Sequence, residues 1–212
     1  FYTRFTRLDN GLVETSNLYV TLVDWHLNSG DSLHSLFDAN VTYERLFEPF
    51  EISPGVVLPS GEYRFTPWRI FFTSAQKRRI QGSIGFNFGN FWSGTAKVIQ
   101  TGLSYKFPPY FSISLNTNQT FASLPQGSFI ARIYSSRVDY AASPFLSVSS
   151  LIQFDNRSEN LGLESRVRWT IEPGNDVFFI FGQGWVQDLE RGYDFRRQDS
   201  RLAMKFQYTF RF

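Results

Sequence analysis

The sequence predicts an all-β chain, and within that class an antiparallel β-barrel whose strands cross a membrane. Three observations lead there. Apolar and polar residues alternate with a period of two through segment after segment, the pattern of a strand with one greasy and one wet face. The apolar positions are heavily aromatic, with 24 Phe, 10 Tyr and 5 Trp in 212 residues against 19% charged residues, which suits a wall with lipid on one side and water on the other. No apolar run approaches the roughly eighteen residues that a membrane-spanning helix needs. Residues 177–181 (VFFIF) are among the longest such runs, so a membrane protein of this composition has to cross with strands.

Residues 1–9 open as a short alternating piece, and Asn10-Gly11 is a hairpin turn signal. One strand is expected over 12–27, with Tyr19, Val23, Trp25 and Leu27 on one parity, followed by the turn NSGDS (28–32). The next runs over 33–47, where Leu33, Phe37, Val41, Tyr43 and Phe47 oppose Asp38, Asn40, Thr42 and Glu44. Residues 48–63 (EPFEISPGVVLPSGEY) hold three prolines and two glycines, too interrupted for a ladder, and read as a long loop.

Strand structure is expected to resume near Arg64, with Trp68, Ile70 and Phe72 on one face before the turn SAQKRR (74–79). Ile80, Ile84, Phe86 and Phe88 then oppose Gln81, Ser83, Asn87 and Gly89, and a loop is expected over 90–94. A strand over 95–107 stops at Pro108-Pro109, since proline cannot donate to a ladder. The following one, with Phe111, Ile113, Leu115 and Phe121 on one side, ends in SLPQGS (123–128).

Residues 129–141 alternate least regularly. Leu146, Val148, Ile152 and Phe154 precede the turn DNRSEN (155–160), and Leu161, Leu163, Val167, Trp169 and Ile171 lead to the tight turn EPGN (172–175). Residues 176–186 are apolar on both parities, and QDLERGYDFRRQ (187–198) reads as a charged loop. In the last stretch, 201–212, Leu202, Met204, Phe206, Tyr208, Phe210 and Phe212 alternate strictly with Arg201, Ala203, Lys205, Gln207, Thr209 and Arg211. The total is about twelve strands of roughly ten to fifteen residues, the length of tilted membrane-crossing strands. Counting connections back from the end sorts EPGN, AASP, Pro108-Pro109, SAQKRR and NSGDS to one rim. The longer 48–63, SLPQGS and QDLERGYDFRRQ connections fall on the other, with DNRSEN and NFWSG short for that side.

Net charge is +2 with Lys and Arg scattered, which argues against a nucleic-acid partner. The absence of Cys excludes thiolate chemistry and disulfide scaffolds. The two histidines, His26 and His34, flank the NSGDS turn beside Asp24, Asp31 and Asp38. Solvated turn and wall acids are commoner than ligands, so no metal residue is assigned. Glu48, Glu51 and Glu62 read as solvated loop acids rather than a catalytic pair. Gly82, Gly85 and Gly89 read as strand glycines beside bulky aromatics, since no helix follows them. The inward charges Glu164, Arg166, Arg168, Glu172, Arg201, Lys205 and Arg211 are expected to face a hydrated lumen. Trp25, Trp68, Trp92, Tyr110, Trp169, Trp185 and Phe212 are expected in interfacial girdles.

A terminal Phe closing an aromatic strand resembles the C-terminal signature of bacterial outer-membrane β-barrels, carried here by Phe206, Tyr208, Phe210 and Phe212. YERLFEPFEISPGVVLPSGEYRF (43–65), GNFWSG (89–94), SLIQFDNRSENLGLESRVRW (150–169) and EPGNDVFFIF (172–181) together resemble the C-terminal barrel of a bacterial family of unestablished molecular function. Its long members carry an N-terminal carbohydrate-binding-module-like β-sandwich. The resemblance covers most of the chain. It implies that residues 1–212 are the C-terminal portion of a larger outer-membrane barrel in a Gram-negative envelope, with the sandwich and upstream strands absent.

The expected function follows: an integral outer-membrane barrel serving as a channel, or as the anchor of the absent domain, and not an enzyme. Its expected partners are outer-membrane lipid and lipopolysaccharide, the barrel-assembly machinery through the C-terminal strand, and proteins at the extracellular loops. No catalytic residue or cofactor is assigned. The alternatives are a scaffold in a multi-protein surface assembly, docking through 48–63, and a surface hydrolase.

Overall fold

The computed structural model describes residues 2–7, 9–188 and 194–210, with backbone alone for residues 35–39 and 188. Among the described residues every regular element is a strand. The first eight are β1 (Tyr2–Thr6), β2 (Val13–Val20), β3 (Val23–His26), β4 (Ser32–Leu46), β5 (Phe50–Ser53), β6 (Val56–Leu58), β7 (Gly61–Phe65) and β8 (Pro67–Thr73). The rest are β9 (Ile80–Phe91), β10 (Gly94–Phe107), β11 (Phe111–Leu124), β12 (Gly127–Ser143), β13 (Leu146–Asp155), β14 (Asn160–Glu172), β15 (Asn175–Asp188) and β16 (Asp194–Gln207). One large sheet runs in the order β1-β2-β4-β8-β9-β10-β11-β12-β13-β14-β15-β16, with β3 and β7 also pairing β4; β5 and β6 form a separate pair. The all-β prediction holds. The order ends at β1 and at β16, and no pairing among the described residues closes it into a barrel.

The chain divides into two compact units. In the unit of Phe1–Lys77, Gly82–Thr101 and Asn118–Arg132, the expected strand over 12–27 is broken at 21–22, giving β2 and β3, both antiparallel to β4. The expected long loop over 48–63 is the best-packed part of this unit. Prolines at 49, 54 and 59 bar a long ladder but leave room for the β5-β6 hairpin, whose turn has Gly55 at φ +78° and its N–H donating to Glu51 Oε1 at 2.8 Å. Leu58 is fully buried, and with Val56 and Leu124 it forms a small core against Leu46, Ile52, Tyr63, Phe91, Trp92 and Phe129. Strand structure resumes at Gly61 rather than near Arg64.

The loops expected over 90–94 and 123–128 are two-residue turns. Glycine makes this close packing possible at Gly94, where a Cβ would fall onto the Ser123 carbonyl oxygen and 2.9 Å from Leu124 Cα. At Gly85 a Cβ would stand 2.7 Å from Phe71 Cδ2, the strand glycine beside an aromatic that the sequence suggested. The expected contrast of short and long connections therefore narrows mostly to the 48–63 segment.

In the unit of Arg78–Gln81, Gly102–Thr117 and Ile133–Phe212, β12 to β16 pair antiparallel in chain order, with register shifts after Ala141, Thr170 and Gly184. The predicted charged loop over 187–198 is mostly strand: Gln187 pairs Phe195 and Asp188 pairs Asp194, because backbone pairing is indifferent to charged side chains that stay in water. The predicted strand over 201–212 is corrected at its other end. β16 stops at Gln207, opposite Asp176, where β15 runs out of ladder partners. Side chains take over there, with Thr209 N–H donating to Asn175 Oδ1 at 3.1 Å and Thr209 Oγ1 to the Gly174 carbonyl at 2.8 Å. Phe212 and Arg211 lie outside the described residues.

Candidate functional site

Residues directly opposite in an antiparallel ladder share a face, so register sorts the side chains of β12–β16. One face carries the row Tyr140–Val148–Val167–Phe179–Met204, flanked by Leu146–Trp169–Val177–Phe206. Of these, Tyr140, Leu146, Trp169, Phe179, Met204 and Phe206 are strongly exposed. The opposite face carries Asp139–Ser149–Arg166–Ile180–Ala203, Ala141–Ser147–Arg168–Phe178–Lys205 and Arg137–Leu151–Glu164–Gly182–Arg201. Of the seven charges expected to face a lumen, Glu164, Arg166, Arg168, Arg201 and Lys205 thus share one face, and Arg211 lies outside the described residues. Glu172 pairs Asn175 beyond a register shift after Thr170, which breaks the parity that the sequence extrapolated to it.

The polar face is knitted together by its own side chains. Asp139 accepts from Arg137 Nε at 3.2 Å, Ser149 Oγ at 2.7 Å and Ser112 Oγ at 3.4 Å, while Arg137 Nη2 reaches Ser149 Oγ at 3.0 Å. Arg168 grips Asp176 with two parallel bonds, and Arg166 lies 6.0 Å from the centre of the Phe178 ring. A cleft of about 450 Å³ opens on this face, with Lys106, Arg137, Arg166 and Arg168 against the single carboxylate of Asp139. Its balance is cationic, and Ser112, Ser147, Ser149, Tyr110 and Tyr140 also line it. Neither histidine lines it.

The histidines sit in the other unit. β3 and β4 bring His34 opposite Asp24, with His34 Nδ1 2.6 Å and His26 Nε2 3.4 Å from Asp24 Oδ1. The two rings meet edge to face with centroids 4.7 Å apart. Period-two spacing places Asp24 and His26 on one strand face, and only the register of β3 against β4 adds His34. Of the other acids named, Asp31 caps the turn by accepting from Ala75 N–H at 2.8 Å, and the Asp38 side chain lies outside the described residues.

Loop acids read as solvated have structural partners. Glu62 Oε1 pairs Arg45 Nη2 at 2.6 Å, and Glu51 holds the β5-β6 turn. On β7, Tyr63 donates to the Pro59 carbonyl at 2.7 Å. Trp92, expected in a girdle, instead packs on Tyr63, Phe65 and Phe50, with centroids 5.2, 5.5 and 6.3 Å away. Trp25, Trp68, Tyr110 and Trp169 are exposed; Trp185 is half-buried.

No family model, no curated protein and no solved structure matches the chain.

Proposed function

We propose that this chain is wall of a β-barrel in a bacterial outer membrane, working as a channel or as the membrane anchor of a larger protein. The observation that carries the reading is the sorting of β12–β16 into an exposed apolar face, with Tyr140, Trp169, Phe179, Met204 and Phe206, and an opposite face holding Arg137, Asp139, Arg166, Arg168 and Lys205. In water an apolar face that broad is unfavourable by about 25 cal/mol per Å²; against lipid tails it costs nothing. The same inward and outward alternation recurs on β8 and β9, where Trp68, Ile70 and Phe72 pair Phe88, Phe86 and Ile84.

Closure belongs to the proposal. Unpaired strand edges are not stable in hydrocarbon, so β1 and β16 each need a partner strand. In this reading the apolar face meets outer-membrane lipid, the strand ends meet lipopolysaccharide, and β16 engages the barrel-assembly machinery. Resemblance of segments 43–65, 89–94, 150–169 and 172–181 to the C-terminal barrel of sandwich-bearing bacterial proteins supports the anchor role.

Membrane fractionation of the expressed chain tests the proposal. Release only by detergent, with a gel migration that shifts on boiling, is the expected result; recovery as a soluble monomer after alkaline washing overturns it. Conductance in planar bilayers then separates channel from anchor.

A second reading, a scaffold in a surface assembly, is favoured by one observation: the β5-β6 hairpin buries Val56 and Leu58 yet leaves Phe50 and Val57 exposed on its outside. Stoichiometric partners lost on Phe50→Ser with Val57→Ser are its expected result.

A further inference from the structure

The chain has two histidines in 212 residues, and the β3-β4 hairpin sets both against one carboxylate. Asp24 and His26 are two positions apart on β3 and share its face, while His34 stands opposite Asp24 across the ladder. Their donor atoms, one from each residue, all lie within 4.8 Å of one another. The frame around them is well tied. Leu27 N–H donates to the Asp31 carbonyl at 2.9 Å and Gly30 N–H to that of Leu27 at 2.8 Å. Ser29 Oγ donates to Asp31 Oδ2 at 2.7 Å, and Asp31 Oδ1 fastens the turn to Ala75.

We propose that Asp24, His26 and His34 form a binding site for a late first-row divalent cation, zinc(II), with the ion clipping the β3-β4 hairpin. Two imidazole nitrogens and a carboxylate oxygen are the donor set such ions prefer, and three protein ligands leave a position for water. A tetrahedral ion with Zn–N of about 2.0 Å holds its ligand atoms about 3.3 Å apart. The His26 Nε2 to Asp24 Oδ1 separation of 3.4 Å already has that value. The His34 Nδ1 to Asp24 Oδ1 separation of 2.6 Å is that of a hydrogen bond; the ion replaces the shared proton and the pair opens by about 0.7 Å. His34 then carries its proton on Nε2, leaving Nδ1 free to coordinate. His26 is the open side of the site, with 65% of its side chain exposed, so an ion enters without rearranging the fold. The proposal is independent of the barrel reading, since it requires only the hairpin.

The experiment is a zinc titration of the full chain, free of any polyhistidine tag and stripped by chelator, against a colorimetric zinc indicator of micromolar affinity. One zinc per chain is expected, held at least as tightly as by the indicator. His26→Ala and Asp24→Asn should each weaken it at least tenfold, and Asp9→Asn should leave it unchanged. His26→Ala removes an exposed ring and keeps the fold, so its result is interpretable even where other variants misfold. Nitrogen-15 spectra of the histidine rings give a second readout on the unaltered protein, with His26 Nε2 and His34 Nδ1 moving to the metal-bound range. The proposal is overturned if the indicator keeps all the zinc, if both variants bind as the parent does, or if the ring nitrogens do not respond.

Discussion

Arg168 on β14 and Asp176 on β15 are locked in a bidentate pair, Nε to Oδ1 at 2.9 Å and Nη2 to Oδ2 at 3.0 Å. Thr170 Oγ1 donates to Oδ1 at 2.5 Å. The Asp176 side chain is 6% exposed and the Arg168 side chain 51%, so the carboxylate is sealed at the wall while the cation faces the cleft. Two parallel charge-assisted bonds fix geometry as well as energy. Asp176→Ala and Arg168→Ala should each lower the temperature at which the folded gel form converts to the unfolded one. The double variant should be no less stable than the worse single variant, because both remove the same contact. Additive losses would show that the pair does not act as a unit.

Leu58 anchors a core between the β5-β6 hairpin and the strands beside it, against Leu124 on β11, Leu46 on β4 and Phe91 on β9. Leu58→Ala removes a fully buried side chain and should cost about 2–5 kcal/mol of local stability. Because β5 and β6 form their own sheet, the loss should appear as new protease cleavage and faster amide exchange within 50–58, with protection of β13–β15 unchanged.

Two glycines make a matched test of backbone approach. Gly94→Ala drives a methyl into the Ser123 carbonyl and to within 2.9 Å of Leu124 Cα, neither of which can rotate away; a loss of roughly 1–3 kcal/mol is expected. Gly162→Ala, with nothing within 4 Å of its new Cβ, should leave the unfolding midpoint in place.

On the proposed barrel reading, neighbouring positions on β16 report which face meets lipid. Met204 shares a face with Phe179 and Val167, and Ala203 shares the opposite one with Ile180 and Arg166. Met204→Arg should cost about 2–4 kcal/mol in a bilayer and lower the folded yield in lipid vesicles, whereas Ala203→Arg should fold as the parent does. Equal yields would remove the lipid assignment of the Met204 face.

Alternation alone was enough to read most long strands to within a few residues, since period two needs no knowledge of partners. It was also enough to place Glu164, Arg166 and Arg168 on one face, and Arg201 and Lys205 on another strand's equivalent face. It failed where backbone approach rather than pattern decides the element. The turn at Gly94 is tight because a missing Cβ admits the next strand, and the 48–63 segment folds because three prolines interrupt a ladder without preventing a short hairpin over Leu58.

What the sequence by itself determined is the all-β class and the parity of the residues along most long strands, because both depend only on which neighbours along the chain are apolar. The tertiary structure alone decided register, and with it the contacts between strands: Arg168 with Asp176, Ser149 with Arg137 and Asp139, and Asp24 with His34. Those contacts depend on hydrogen-bond pairing between neighbouring strands, where a slip of one residue would send each side chain to the other face.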